Sequence, residues 1–275
     1  MWKICFNDSD EFMDFYFSKK YKHENTLIYF EDNKALASLQ MLPYCFTFCG
    51  VEIPISYISG ACTLPEYRGR GYMGKLLLSA FDSMRQRKIP LSILIPAEKW
   101  LYDYYARYGY EAVFEADNNE IPLKKIIDQS NGCIDAAYTA FDALYRNRDF
   151  CVQKTKEDFA AIVKEAESSN FSPKSNIAGM ARIINAEKLL SCFADKYPEK
   201  SFVFENNDDL LPANNGIYKI DKKLCKKNET AKDSLFSVNE TALCRLLFGF
   251  HLEELPKKAS QHFERHNPCM NLMLE

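Results

Sequence analysis

The chain lacks the features that mark several large classes of protein. Its 275 residues contain no apolar run near the ~18 residues that a membrane-spanning helix needs. The chain turns acidic within its first ten residues and shows no apolar segment of a signal peptide there. A net charge of −3 is not the basic excess that is typical of nucleic-acid-binding proteins. We therefore expect a cytoplasmic protein that binds neither membranes nor nucleic acids.

The chain also lacks a disulfide framework and a convincing metal site. Its ten cysteines are scattered and include no C-x-x-C pair, so we interpret them as reduced, mostly buried thiols. His262 and His266 have the H-x-x-x-H spacing of helical zinc ligands, but an isolated pair of this kind is more often a surface feature. We predict no metal.

The length and the pattern of elements indicate an α/β (α+β) protein of two domains, because a typical domain has about 100–150 residues. The predicted boundaries are 1–125 and 151–275, with a helical connection over 126–150. Predicted strands cover 26–30, 35–41, 44–48, 53–64, 91–95, 111–115, 202–206 and 217–220. Predicted helices cover 9–21, 71–88, 99–108, 155–167 and 239–250. Asn215-Gly216 predicts a tight hairpin turn.

Residues 53–113 carry the most informative pattern. Ile55–Leu64 has the β-branched and aromatic content of a strand, and apolar residues at helical spacing follow from Met73 to Met84. The turn between them is rich in glycine and in basic residues. It consists of Arg68, Gly69, Arg70, Gly71, Tyr72, Met73, Gly74 and Lys75.

Such a turn at the start of a helix is suited to a phosphate or pyrophosphate. The first N–H groups of a helix have no partner within it, and the helix dipole adds partial positive charge. A Walker A loop is excluded because Leu76 follows Lys75. The dinucleotide pattern G-x-G-x-x-G is matched, but no acidic ribose partner lies about 20 residues further on. Three glycines among three cations favour a binding role over a basic helix start that is only solvated.

The segments around this turn resemble the GNAT superfamily of N-acyltransferases. Arg68-x-x-Gly71 corresponds to its [QR]-x-x-G-x-[GA] signature, and Tyr105-Ala106-Arg107-Tyr108-Gly109-Tyr110 to its Y-x-[KR]-x-G-[FY] segment. Gly74 falls one position late, and this variant is similar to the branch typified by the Eis (enhanced intracellular survival) acetyltransferases. The resemblance covers residues 24–114 strongly and 150–275 more weakly.

This resemblance implies two GNAT-like domains, each a mixed, mostly antiparallel sheet flanked by helices, of which the second is degenerate. The C-terminal sterol-carrier-like domain of the longest Eis proteins has no counterpart. Acetyl-CoA is the implied cosubstrate, and no second cofactor is inferred. In the family fold, the strand before the turn and the strand after its helix splay apart, and the pantetheine lies between them.

The resemblance also implies roles for individual residues. The turn from Arg68 to Lys75 would bind the phosphates, and Tyr105 aligns with the general acid, although a tyrosine on an apolar helix face is more often part of a core. The general base is left open between four carboxylate candidates and deprotonation through water. The backbone N–H groups that would hold the pantetheine and polarise the thioester are those of Cys62, Thr63 and Leu64. The base candidates are Glu66, Glu111, Glu115 and the chain terminus at Glu275.

The leading interpretation is an acetyl-CoA-dependent N-acetyltransferase. It would move the acyl group from the CoA thioester to the amine of a small molecule, by direct transfer in a ternary complex. Two alternatives stay open: a non-catalytic acyl-CoA-binding or sensing protein, and a peptide or protein N-acyltransferase. Eis-type relatives assemble into oligomers, and a homo-oligomer is left open too.

Overall fold

The computed structural model describes residues 1–117, 120–172, 174–228 and 234–274. Its α-helices are α1 (Trp2–Phe6), α2 (Asp10–Lys20), α3 (Tyr72–Gln86), α4 (Lys99–Ala106), α5 (Leu123–Gln129), α6 (Ile134–Tyr145), α7 (Lys156–Ser168), α8 (Ala186–Lys196), α9 (Glu240–Phe248) and α10 (Lys257–Ser260). Its strands are β1 (Thr26–Glu31), β2 (Lys34–Phe48), β3 (Val51–Thr63), β4 (Leu91–Leu94), β5 (Glu111–Phe114), β6 (Cys151–Gln153), β7 (Gly179–Ile183), β8 (Ser201–Asn207), β9 (Gly216–Asp221), β10 (Leu224–Asn228) and β11 (Phe236–Asn239).

The larger sheet has seven strands in the order β1-β2-β3-β4-β7-β5, with β6 paired to the far end of β2. Only β3 and β4 run parallel in this sheet, and its other neighbouring strands are antiparallel. All four residues of β4 are buried, as its short apolar run predicts for a strand covered on both faces.

Strand β7 lies between β4 and β5, although it belongs to the predicted second domain. Strand β6, from the same part of the chain, also pairs in this sheet. The two halves of the chain therefore share one sheet, and the boundaries between them stay a prediction.

The smaller sheet has the order β10-β9-β8-β11, with β8 and β11 parallel and the other pairs antiparallel. The fold is thus the predicted mixed α/β class with two mixed sheets. The tight turn predicted at Asn215-Gly216 is wrong, because Gly216 is the first residue of β9 and pairs with Asn206. A wider connection forms instead, and Asp208 stabilises it by accepting the N–H groups of Leu210 and Leu211.

Strand β2 is one continuous strand where the sequence predicts two. Pro43, which separates the two predicted strands in the sequence, pairs with Ser56 of β3. On its other edge β2 is paired with β1 up to Gln40 and with β6 from Cys45. Pro43 falls between these pairings, where its missing N–H removes no ladder hydrogen bond.

Two buried clusters hold the fold together. One packs α2, α7, α8, α9 and the final residues 270–274 between the two sheets. The other lies on the opposite face of the larger sheet, under α3 and α4. Within the described ranges, no helix combines the length and apolarity required to cross a bilayer.

Candidate functional site

The central strands β3 and β4 separate at the site. Their parallel pairing runs from Ile55 and Leu91 to Ile58 and Leu94. Strand β4 ends there, whereas β3 continues to Thr63 along β2. Among the described strands, none pairs with this edge of β3 beyond Ile58, and we refer to the space beside residues 59–63 as the gap. The pairing of β3 and β4 therefore ends at the place where the family resemblance implies a splay.

A β-bulge bends β3 at the gap. Gln40 pairs with Ser59 and Ser38 pairs with Cys62, so two residues of β3 lie opposite one residue of β2. One of the two is Gly60, which has a φ of 57°. A bulge of this kind adds local twist and re-aims the backbone, so the end of β3 changes direction at the gap.

The glycine-rich turn joins the open end of β3 to α3. Gly69 and Gly71 have φ values of 76° and 80°, and a β-carbon at either position would meet no atom within 4 Å. Among the described residues, no hydrogen-bond acceptor contacts the N–H groups of residues 69–74. A helix start with free, accessible donors and a positive dipole end is suited to an anion.

The three cations of the turn donate to carbonyl and hydroxyl oxygens. Arg68 Nε donates to the Thr63 carbonyl at 3.2 Å, and Arg70 Nη2 donates to the Glu66 carbonyl at 3.2 Å. Lys75 Nζ donates to the Tyr29 hydroxyl at 3.2 Å. In the part of the chain that the structure describes, no carboxylate forms an ion pair with any of them. Their charge is thus free to neutralise a ligand.

The first residues of α3 differ in what they can offer a ligand. The Tyr72 side chain turns away, since its hydroxyl donates to Glu31 at 2.9 Å and its ring lies 4.7 Å from that of Tyr29. Met73 is half-buried against the cluster under α3. Gly74 packs against the Tyr108 side chain. At these three positions only the backbone N–H groups remain for a ligand.

The strand residues predicted to bind the pantetheine are not equivalent. The Leu64 N–H donates to the Leu36 carbonyl at 2.9 Å, so the donor role predicted for it is not available in this structure. Successive N–H groups of a strand point to opposite sides. Cys62 therefore also directs its N–H towards β2, and burial raises the pKa of its thiol to about 11. Thr63 alone of the three directs its N–H into the gap.

Tyr105 lies on α4 in the same cluster as Ile58 and Leu94, the last paired residues of the two strands. It is 7 % exposed, and burial raises its pKa to about 12. Its hydroxyl makes no hydrogen bond within the described ranges. A buried phenol that stays protonated and unpaired can donate to a leaving group. The side chain of the nearby Tyr108 packs against Gly74 instead.

The candidates for the general base have other partners or lie outside the described residues. Glu66 forms an exposed ion pair with Lys34 at 3.4 Å, and Glu115 lies 2.7 Å from His251. Glu111 is half-buried, and burial raises its pKa. Glu275 lies outside the described residues. No base is assigned from the geometry.

The C-terminal segment reaches the end of β4. Residues 269–274 are buried. A β-carbon at Gly179 would come within 2.7 Å of the Met270 methyl carbon and 2.9 Å of the Leu94 carbonyl. This tight packing brings the tail beside the point where β3 and β4 separate.

The two histidines with helical metal spacing do not share a helix. His262 stacks on Phe202 with ring centroids 4.6 Å apart, and His266 stacks on Phe150 at 4.0 Å. Among the described residues, no group of three potential ligands could hold a metal ion.

Sequence reasoning missed two residues at the gap, Gly60 and Trp2. The Trp2 ring lies on Gly60 so closely that a β-carbon there would overlap it. An isolated glycine inside a strand pattern indicates a bulge, so Gly60 could have been found. Nothing in the sequence pattern places Trp2 there.

The family comparison agrees with this geometry. Residues 1–113 match the family model described as an acetyltransferase (GNAT) domain. This part of the chain is a GNAT domain. Its match includes β3, the turn, α3 and α4, and it assigns this part of the chain to an acyltransferase family. No curated protein matches the chain in sequence.

Solved structures show that the whole chain shares the fold of two-domain GNAT proteins. A probable N-acyltransferase from Enterococcus faecalis V583 has a TM-score of 0.64 and 17% identity, covering 99% of this chain and 95% of that one. Eis1 from Mycobacterium abscessus has a TM-score of 0.63 and 12% identity, covering 97% and 96%. A GCN5-related N-acetyltransferase from Anabaena variabilis has a TM-score of 0.61 and 16% identity, covering 98% and 95%. The resemblance to Eis is confirmed for the fold.

Proposed function

We propose that the protein is an acetyl-CoA-dependent N-acetyltransferase. It transfers the acyl group directly from the CoA thioester to the amine of a small molecule, in a ternary complex. The observation that carries this proposal is the turn beside the gap. It combines six free N–H groups over residues 69–74 with three cations that have no carboxylate partner. Among the described residues, no carboxylate forms an ion pair at this anion site.

The turn and the gap together suit a ligand with a pyrophosphate and an extended arm. The pyrophosphate would accept the N–H groups at the start of α3, and Arg68, Arg70 and Lys75 would neutralise it. The pantetheine would then lie along the open edge of β3, where Thr63 directs its N–H. Arg68 now uses only its Nε on the Thr63 carbonyl, so its terminal nitrogens remain for phosphate.

Two groups of the chain would act in the transfer. The amine nitrogen attacks the thioester carbonyl carbon, and the Thr63 N–H stabilises the negative charge that develops on the carbonyl oxygen. The carbon–sulfur bond breaks with its electron pair moving to sulfur, and Tyr105 donates its proton to that sulfur. The amine's proton passes to solvent water. Tyr105 then recovers a proton from water.

Transfer to a pooled library of primary amines tests the proposal. Acetyl-CoA and the protein are incubated with the pool, and products are read by mass spectrometry, because ten thiols would react with a thiol-detecting dye. We expect one amine class to gain an acetyl group. Binding of acetyl-CoA without any acetylated amine or peptide would favour a sensing role, and acetylation of peptides alone would favour a protein acyltransferase. Equal affinity for ADP and acetyl-CoA would contradict the CoA assignment.

A further inference from the structure

A polar cluster lies beside the bulge, on the face of the larger sheet that carries α1 and α2. Gln40 of β2 is directly opposite Ser59 of β3, and the Ser59 hydroxyl lies 2.7 Å from the hydroxyl of Tyr16 on α2. Leu39 and Met41 pack under α3 on the other face. Because side chains alternate along a strand, Gln40 points away from α3 and towards the polar cluster.

The Gln40 amide has an unsatisfied oxygen. The residue is 4 % exposed, and its Oε1 is buried without a hydrogen-bond partner among the described residues. A buried polar atom left unpaired costs about 1–3 kcal/mol. Gln40 Oε1 lies one strand away from the gap. This unpaired acceptor is suited to a ligand that supplies a hydrogen-bond donor.

Aromatic rings enclose the same place. Trp2 lies on Gly60, and its ring centroid is 4.9 Å from that of Tyr16 and 5.1 Å from that of Phe17. The indole N–H of Trp2 already donates to Asp8 at 2.6 Å, so the ring offers a ligand only its apolar surface. Aromatic faces attract ammonium groups as well as apolar bodies.

We infer that Gln40 and Trp2 bind the acceptor, and that the acceptor is a primary amine on an aromatic body. The inference rests on the proposed function and names its substrate class. Gln40 Oε1 accepts one N–H of the amine, Trp2 packs on the aromatic body, and the nitrogen lone pair faces the thioester carbonyl in the gap. Gln40 binds and orients the amine and takes no proton from it.

The kinetic test uses 2-phenylethylamine as acceptor with Gln40→Leu, which keeps the volume and removes the acceptor oxygen. We expect the KM for the amine to rise at least tenfold, the KM for acetyl-CoA to stay within twofold, and the melting temperature not to fall. Ser56→Ala is the matched control, because the Ser56 hydroxyl is also buried and unpaired but lies on the other face. An amine KM within twofold of wild type in Gln40→Leu would overturn the inference.

A second readout needs no turnover. Trp2 and Trp100 are the two tryptophans of the chain, and Trp100 is exposed on α4. In Trp100→Phe, the remaining fluorescence therefore reports Trp2 alone. We expect 2-phenylethylamine to change this fluorescence saturably. In the double variant Trp100→Phe/Gln40→Leu, we expect the amine to bind at least tenfold more weakly. Saturable binding without transfer would leave the site standing while the proposed function fails. Transfer with no Trp2 response would leave the function standing and overturn the site.

Discussion

The Tyr108 side chain lies directly against Gly74, the third residue of α3. A β-carbon at Gly74 would overlap the Tyr108 hydroxyl and come within 3.0 Å of Cζ and 3.2 Å of Cε1. This contact joins the two segments that carry the family signatures, the turn and the end of α4. It also gives a physical reason why glycine stands at this position, one later than in the commonest family pattern.

This contact predicts that replacing a helical glycine by alanine destabilises the protein here, opposite to the usual effect. Replacing glycine by alanine inside a helix ordinarily stabilises by about 1 kcal/mol. Here we expect Gly74→Ala to lower the free energy of unfolding by about 1–3 kcal/mol, because the added methyl group has no space. Tyr108→Phe in the same chain should recover part of the loss, since it removes the overlapping oxygen. Urea unfolding of both single variants and the double variant measures this coupling, and strictly additive effects would contradict it.

Tyr105 should be needed for turnover and not for binding. Tyr105→Phe removes only the hydroxyl, which makes no hydrogen bond within the described ranges, so we expect unchanged stability and unchanged acetyl-CoA affinity. The value of kcat should fall by about 10²–10⁴-fold, as is typical for the loss of a general acid. Tyr102→Phe, three residues earlier on α4, is the control and should retain activity. Equal losses in both variants would remove the role assigned to Tyr105.

The pH dependence of kcat should rise and then level off without an alkaline fall. Burial raises the pKa of Tyr105 to about 12, so the phenol keeps its proton through the range in which acceptor amines lose theirs. A profile from pH 6 to about 9.5, with acetyl-CoA and amine saturating, tests this. A decline in that range that disappears in Tyr105→Phe would show a much more acidic phenol than the structure indicates.

The burial of Lys154 makes its contribution to the free energy of unfolding depend on pH. It is 2 % exposed, donates to Asn271 Oδ1 at 2.7 Å, and burial lowers its pKa to about 8. The unfolded side chain titrates near ~10.4. Between these values the unfolded chain binds more protons than the folded chain, so this group makes stability rise with pH.

Lys154→Met removes that contribution. We expect the stability of this variant relative to wild type to decline as pH rises from 8 to about 10.4, by up to about 3 kcal/mol. Both chains contain the same buried thiols, so the contribution of thiol titration to stability cancels in the difference. A difference that stays constant over this range would show that Lys154 is not neutral in the folded protein.

The local elements were predictable because short-range patterns decide them. The apolar stripe from Met73 to Met84 predicts α3, and the short apolar run that begins at Leu91 predicts the buried strand β4. The glycines of the turn likewise indicate positive φ values, which Gly69 and Gly71 adopt.

The long-range arrangement was not predictable from these patterns. The insertion of β7 between β4 and β5 depends on pairing residues such as Leu94 and Met180, which lie far apart in the sequence. Which N–H group faces the gap depends on the register of β3 and on its bulge at Gly60. A bulge shifts every later residue by one position. The sequence alone therefore could not tell whether Thr63 or Leu64 directs its N–H into the gap.

Calorimetric titration of acetyl-CoA into Gly71→Asp tests the central claim most directly. Gly71 precedes α3, and a β-carbon there would meet no protein atom within 4 Å, so the carboxylate would occupy the space assigned to the phosphates. Gly71→Asn is the matched control, because it has the same shape and tolerates positive φ but carries no charge. Gly132→Asp controls for backbone strain, since Gly132 has a φ of 72° and equally open surroundings.

We expect measurable binding of acetyl-CoA to wild type, Gly71→Asn and Gly132→Asp, and none to Gly71→Asp. Wild-type affinity in Gly71→Asp would contradict the assignment of this turn to acyl-CoA.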